Sequence, residues 1–205
     1  GDLCHKVLTV EIMGKHSNII FCDDNNKIID SIKHVGIQMS SVREVLPGRE
    51  YFIPHTQDKE NPLTITEERF RETVLTKPLP LSKALYMTLT GISPLIAEEI
   101  CHRASLESDQ SANSFSDTEA THLYHTFSRL MEDVKNGNFT PTVVYDGREP
   151  LEFSALPLTL YQDKRVETFE SISAVLENYY AMKNTITRIR QRSSDLRRIV
   201  NTALE

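Results

Sequence analysis

Residues 11–18, EIMGKHSN, put an acid, a thioether, a glycine, a cation, an imidazole, a hydroxyl and an amide within one turn of chain. Gly14 permits a backbone turn that other residues resist, or a close approach to a ligand. Lys15 offers an ammonium to a phosphate, and Ser17 and Asn18 can donate to sugar or base edges, which are the contacts that read RNA. Met13 and His16 complete the set. Glu11 repels phosphate unless it orients a cation or accepts from a base. A structural reading competes with this one. The same residues suit a turn whose polar groups cap their own backbone, with Ile12 and Met13 on opposite faces of a strand.

Two further stretches offer contacts to an anion. TGISPLIAEEI resembles the hairpin of helix-hairpin-helix modules, in which small residues, here Gly91 and Ser93, let backbone amides approach a phosphate at a helix N-terminus. A turn between two packed helices explains it as well. Lys183 to Arg198 holds six cations, Lys183, Arg188, Arg190, Arg192, Arg197 and Arg198, against Asp195 alone, in a chain whose formal net charge is -6. An acidic body bearing a basic rod can direct one face to RNA, or the rod can simply be solvated.

Enzyme signatures are missing. The sequence has no P-loop, G-x-G-x-x-G, H-E-x-x-H or G-x-S-x-G, so no catalytic residue, metal site or cofactor is expected. His122 and His125 share a helix face without an acid or thiol at matching spacing, and adjacent Cys101 and His102 point about 100° apart on a helix. Cys4, Cys22 and Cys101 form no C-x-x-C pair and read as free thiols. No apolar run approaches the ~20 residues needed to cross a bilayer, so no membrane insertion is expected, and a cytoplasmic protein is. The missing initiator Met and the strand pattern starting at Val7 point to a piece of a longer chain.

The elements that must carry these groups follow from periodicity. VLTVEIM, NIIFCD and KIIDSIK read as an antiparallel meander with a DDNN turn, followed by an edge strand or ordered loop around YFI. From Thr66, an N-cap, the pattern turns helical: a helix, a hairpin whose first helix ends on Gly91 and whose second is capped by Ser93, and a helix from Ser116 to Lys135 ended by NGN. TVVY and LEFSAL restore strand character and are expected to rejoin the first sheet. Phe169, Ile172, Leu176, Tyr179, Ile186, Ile189, Leu196, Val200 and Ala203 then recur at helical spacing, interrupted by Lys183 and Ser193. The expected fold is α+β: a small antiparallel sheet lobe (1–62 and 140–165), an inserted helix-hairpin-helix-like block (63–139), and a long C-terminal helix beginning a coiled coil (166–205).

EIMGKHSNIIF, DSIKHV, VLPG with YFIP, LTGISPLIAEEI, FTPTVVYDG with LEFSALPL, and the closing heptad helix stand here in the order seen in the NFACT family. The chain resembles the later half of that family's N-terminal domain and the start of its coiled coil, in the bacterial RqcH branch whose members are also called fibronectin-binding proteins. The resemblance implies a ribosome quality-control factor that binds stalled large subunits carrying peptidyl-tRNA and recruits alanyl-tRNA for template-free alanine tailing. It implies tRNA contact by Glu11, Met13, Gly14, Lys15, His16, Ser17 and Asn18. Gly91 and Ser93 become candidate RNA contacts, and Arg188, Arg190, Arg192, Arg197 and Arg198 candidate ribosome contacts. The older family name implies an alternative, a surface adhesin for fibronectin or fibrinogen. The family's likeness to DNA glycosylases does not carry over their chemistry.

Overall fold

The computed structural model describes residues 4–53 and 58–204, with side chains as far as Thr202. It is α+β and divides into two compact units, Gly1–Asp58 and Lys59–Glu205.

The first unit is the expected meander. Strands β1 (Val7–Glu11), β2 (Asn18–Cys22) and β3 (Ile28–Ser31) pair antiparallel in the order β1-β2-β3. The DDNN turn works through Asp23, whose Oδ1 accepts from the amides of Asn25 (2.9 Å) and Lys27 (2.8 Å), while Asn26 takes a positive φ of 59°. Strand alternation puts Ile20, Cys22 and Ile28 on one face, where they meet Val45, Val35 and Tyr51. Leu8 and Val10 stay exposed on the other. Residues 51–53 form no strand and resolve as loop, while Pro54 lies outside the described residues.

Four helices open the second unit: α1 (Glu67–Thr73), α2 (Leu81–Thr88), α3 (Pro94–Arg103) and α4 (Asp117–Lys135). Three have the capping chemistry that their sequences dictate. Thr66 Oγ1 accepts from Arg69 N, Ser93 Oγ from Ile96 N, and Ser116 with Glu119 forms a capping box. Their apolar faces bury Phe70, Leu85, Ile100, Leu123, Phe127 and Leu130 in one core, with the Phe70 and Phe127 rings 5.1 Å apart. The α2 ending differs from expectation. The helix stops at Thr88, ahead of Gly91, because Leu89 turns extended and the chain pairs with Glu60 through Glu60 N to Thr88 O (2.8 Å) and Thr90 N to Glu60 O (2.9 Å).

Strands β4 (Thr142–Asp146), β5 (Glu149–Ser154) and β6 (Arg165–Thr168) form a second sheet in the order β5-β4-β6. The expectation that residues 140–165 rejoin the first sheet is therefore corrected, and the helices are not an insertion into one sheet. A third strand only a short connection away completes the ladder of β4 locally, with less loop to close than a return to the meander. With strands on both edges and a helix over one face, Thr142 to Tyr145 are all buried, which explains the unbroken TVVY run. That helix is α5 (Ile172–Leu204). Its first turns pack Val175 against Val143 and Tyr145, with Phe153 and Tyr179 in edge contact at 4.8 Å. Beyond them Ile189, Leu196 and Val200 are exposed. Lys183 leaves the apolar seam and lies over the Tyr179 ring, 5.4 Å from its centroid.

Candidate nucleic-acid interface

The β1–β2 ladder closes at the pair Glu11 and Asn18, so residues 12–17 form a tip beyond the sheet. Gly14 takes φ +56°, a left-handed conformation that L side chains resist, and starts a single 3-10 turn through His16. Every carbonyl from Met13 to Lys15 is engaged internally. Met13 O accepts from His16 N, Gly14 O from Ser17 N (both 3.0 Å), and Lys15 O from the Lys33 ammonium (3.0 Å). Ser17 Oγ accepts from Met13 N at 2.9 Å and laces the turn across its base. The side chains of Met13, Lys15 and His16 are exposed, and Ile12 is 87 % exposed. The tip therefore offers the Lys15 ammonium, the His16 imidazole and apolar surface outward, while the carbonyls of Met13 to Lys15 are engaged from within.

Two residues assigned to RNA contact have other partners. Asn18 is 6 % exposed; its Oδ1 accepts from the amides of Lys33 and Ile19, and its Nδ2 donates to Lys33 O, all at 2.9 Å. An amide side chain can mimic a strand's hydrogen-bond pair, and here it extends the β2–β3 ladder by one residue instead of reaching for a base edge. Glu11 forms a largely buried ion pair with Arg43 and accepts from the Tyr51 hydroxyl at 3.0 Å. Its charge is neutralised inside the lobe, so it neither repels a phosphate nor waits for a base. Burial opposes the Arg43 charge, but Glu11 and Tyr51 together outweigh it and leave the guanidinium above its ordinary pKa. Burial, then Glu11, push the Tyr51 phenol up. Across from Phe21 on β3, the His34 hydrogen bond holds the exposed Asp30 carboxyl below its usual range.

Lys33, Arg43 and Tyr51 were absent from the sequence-derived set. Lys33 had only a near signal: counting the ladder outward from the DDNN turn places residue 32 beside residue 18, and a register shift between Phe21 and Cys22 moves residue 33 there instead. Arg43 and Tyr51 reach Glu11 across loops, and no periodicity reports that.

The other candidates lie in the second unit. Gly91 adopts φ +75° with open space where a Cβ would stand, and Ser93 spends its hydroxyl oxygen on the α3 cap. On α5 the arginines are exposed but not equivalent. Arg190 pairs with Glu149 at 2.5 Å beside an apolar groove of about 510 Å³ that Met182, Ile186 and Ile189 line. Arg198 stands 3.9 Å from Asp195, and Arg188, Arg192 and Arg197 have no ion pair among the described residues.

The family model for NFACT N-terminal and middle domains matches residues 1–205. The chain belongs to the NFACT family. It is 36% identical over 202 residues to the Rqc2 homolog RqcH of Bacillus subtilis (strain 168), covering 98% of this chain and 33% of that protein. Against the Rqc2 homolog RqcH of Streptococcus suis (strain 05ZYH33), identity is 31% over 206 residues, 100% of this chain and 33% of the relative. The NFACT chain thus spans a third of the length of these curated relatives. Its fold is similar to the fibrinogen binding protein from Staphylococcus aureus (TM-score 0.67, 30% identity, 88% of this chain and 61% of that one). It is also similar to the N-terminal part of the fibronectin/fibrinogen-binding protein from Streptococcus suis (TM-score 0.59, 30% identity, 88% and 58%). Among the described residues, no helix of this NFACT chain is long and apolar enough to cross a membrane.

Proposed function

We propose that this chain is the tRNA-contacting part of a cytoplasmic ribosome quality-control factor. In this reading the whole protein binds stalled large subunits carrying peptidyl-tRNA and recruits alanyl-tRNA for template-free alanine tailing. The carrying observation is the tip: a left-handed glycine displays Lys15 and His16 beside the apolar Ile12 and Met13, with the carbonyls of Met13 to Lys15 turned to internal donors. Cations suit the phosphates of a folded RNA, and exposed apolar side chains suit its sugars and unstacked bases. Kinship with the RqcH proteins supports the reading. The part played is binding rather than catalysis. Arg188, Arg192 and Arg197, spread around α5, make that helix a second basic element, suited to ribosomal RNA. Gly91 and Ser93 have their structural roles and add a contact only if RNA reaches that turn.

The test is the affinity of the full-length protein for fluorescently labelled alanine tRNA. Lys15→Met with His16→Ala is expected to weaken binding about tenfold or more, with a shallower salt dependence. Unchanged binding refutes the tip as the site. A second reading, a surface adhesin, is favoured by the fibrinogen- and fibronectin-binding names of the solved relatives. It requires the full-length protein on intact cells to be removed by external protease and its binding to immobilised fibronectin to be independent of Lys15 and His16.

A further inference from the structure

The turn at Gly14–His16 is short, and its own hydrogen bonds engage the Met13 and Gly14 carbonyls but leave the Lys15 carbonyl without a partner from within the turn. An uncovered carbonyl there would present a partial negative charge where the proposed ligand brings phosphates. Lys33, from the far end of the third strand, covers it: its ammonium donates to Lys15 O at 3.0 Å. A lysine reaching a carbonyl from a mobile stem would add little, because four rotatable bonds oppose the contact. This stem starts from a fixed point. The Lys33 amide donates to Asn18 Oδ1, and the Lys33 carbonyl accepts from both Asn18 Nδ2 and Ser31 Oγ, each at 2.9 Å. The preceding amide, Ile32 N, continues the ladder to Ile19 O at 3.0 Å. Asn18 is itself buried, so the anchor is held by packing as well as by hydrogen bonds.

We propose that Lys33 is a positioning residue of the tRNA site, acting through Lys15, and that Asn18 is the buried anchor that fixes it. Lys33 does two things. It restrains the peptide plane from which the Lys15 side chain departs, and it covers with a donor the Lys15 carbonyl that the turn's own hydrogen bonds leave open. Asn18 thereby affects RNA binding without touching RNA. The proposal rests on the tRNA reading of the tip and goes beyond it by naming residues that work from behind.

A double-mutant cycle in the full-length protein, titrated with fluorescently labelled alanine tRNA, tests it. Lys33→Met is expected to weaken binding roughly five- to tenfold, the scale of one charge-assisted hydrogen bond, with a Tm within about 2 °C of wild type because the side chain is exposed. Lys33→Arg, which keeps a donor, is expected to recover most of the loss. In the Lys15→Met background, Lys33→Met is expected to cost less than about twofold, since the group it positions is gone. Unchanged binding by Lys33→Met, where Lys15→Met alone is damaging, overturns the inference and leaves the tRNA reading standing. Losses that add in the double variant also overturn it, because Lys33 then meets RNA on its own account. If Lys15→Met binds as wild type, the tip reading falls and takes this inference with it.

Discussion

The helical unit and the sheet lobe keep their shape by different means. From Lys59 onward, Phe70, Leu81, Leu85, Ile100, Leu123, Phe127 and Leu130 meet in one continuous apolar core. The lobe's buried cluster is Ile20, Cys22, Ile28 and Val45, while Leu8, Val10, Ile12 and Ile32 are exposed. What the lobe lacks in apolar burial it replaces around the tip with polar clasps: Glu11 with Arg43 and Tyr51, and Asn18 with Lys33. A core tolerates approximate fit better than a buried polar network does, because an unpartnered buried group costs its full desolvation. In the lobe, the same contacts therefore hold the fold and aim the site.

The widest break in this comparison is expected from Phe70→Ala. It should cost about 3–5 kcal/mol in urea unfolding of the second unit, and a loss below about 1 kcal/mol would refute the continuous core. Next comes Arg43→Met, which strands the Glu11 carboxylate and should cost the lobe about 3–5 kcal/mol. Hydrogen exchange should then accelerate across β1–β3 and stay unchanged in α4. Pairing it with Glu11→Gln, which removes the stranded charge, should restore most of the protection. Equal exchange in the single and double variants would show the clasp to be ordinary packing. The smallest effect is read on the thiols. Burial, then Glu98, push the Cys101 thiol up to about 12, and burial, then Asp23, raise Cys22. Both favour the neutral thiol in the folded state, so their contribution is complete below the ordinary value of 9.0 and fades as pH rises, for Cys101 between 9 and about 12. At pH 8 a thiol reagent should label exposed Cys4 first, Cys22 next as the lobe opens, and Cys101 slowest, by roughly tenfold or more. Equal rates for Cys22 and Cys101 would put the two units on one cooperative footing.

Local chemistry was legible in the sequence and partnership was not. Thr66, Ser93 and Ser116 announce helix starts because a cap needs only the next few residues. The β-branched runs of β1 to β4, and the alternating Leu151 and Phe153 of β5, announce strands, but RVET of β6 is short and charged, and only its pairing with β4 makes it a strand. The second sheet was missed for that reason. At the tip, the left-handed turn at Gly14 was readable from the glycine among polar residues, and so was the exposure of Lys15 and His16. The inward fate of Asn18 and Glu11 was not, since an amide or a carboxylate serves an RNA edge or a neighbouring backbone equally well, and the choice lies with residues 15 and 32 positions away.

Gly14 combines a positive φ with vacant surroundings, as nothing stands within 4 Å of where a methyl group would project. Handedness, not bulk, is what this position selects. L-alanine would strain the backbone there, whereas the mirror-image D-alanine favours the positive φ and would strip the unfolded chain of glycine's freedom. A semisynthetic version carrying that one inverted centre should hold its tip more firmly than the natural molecule does.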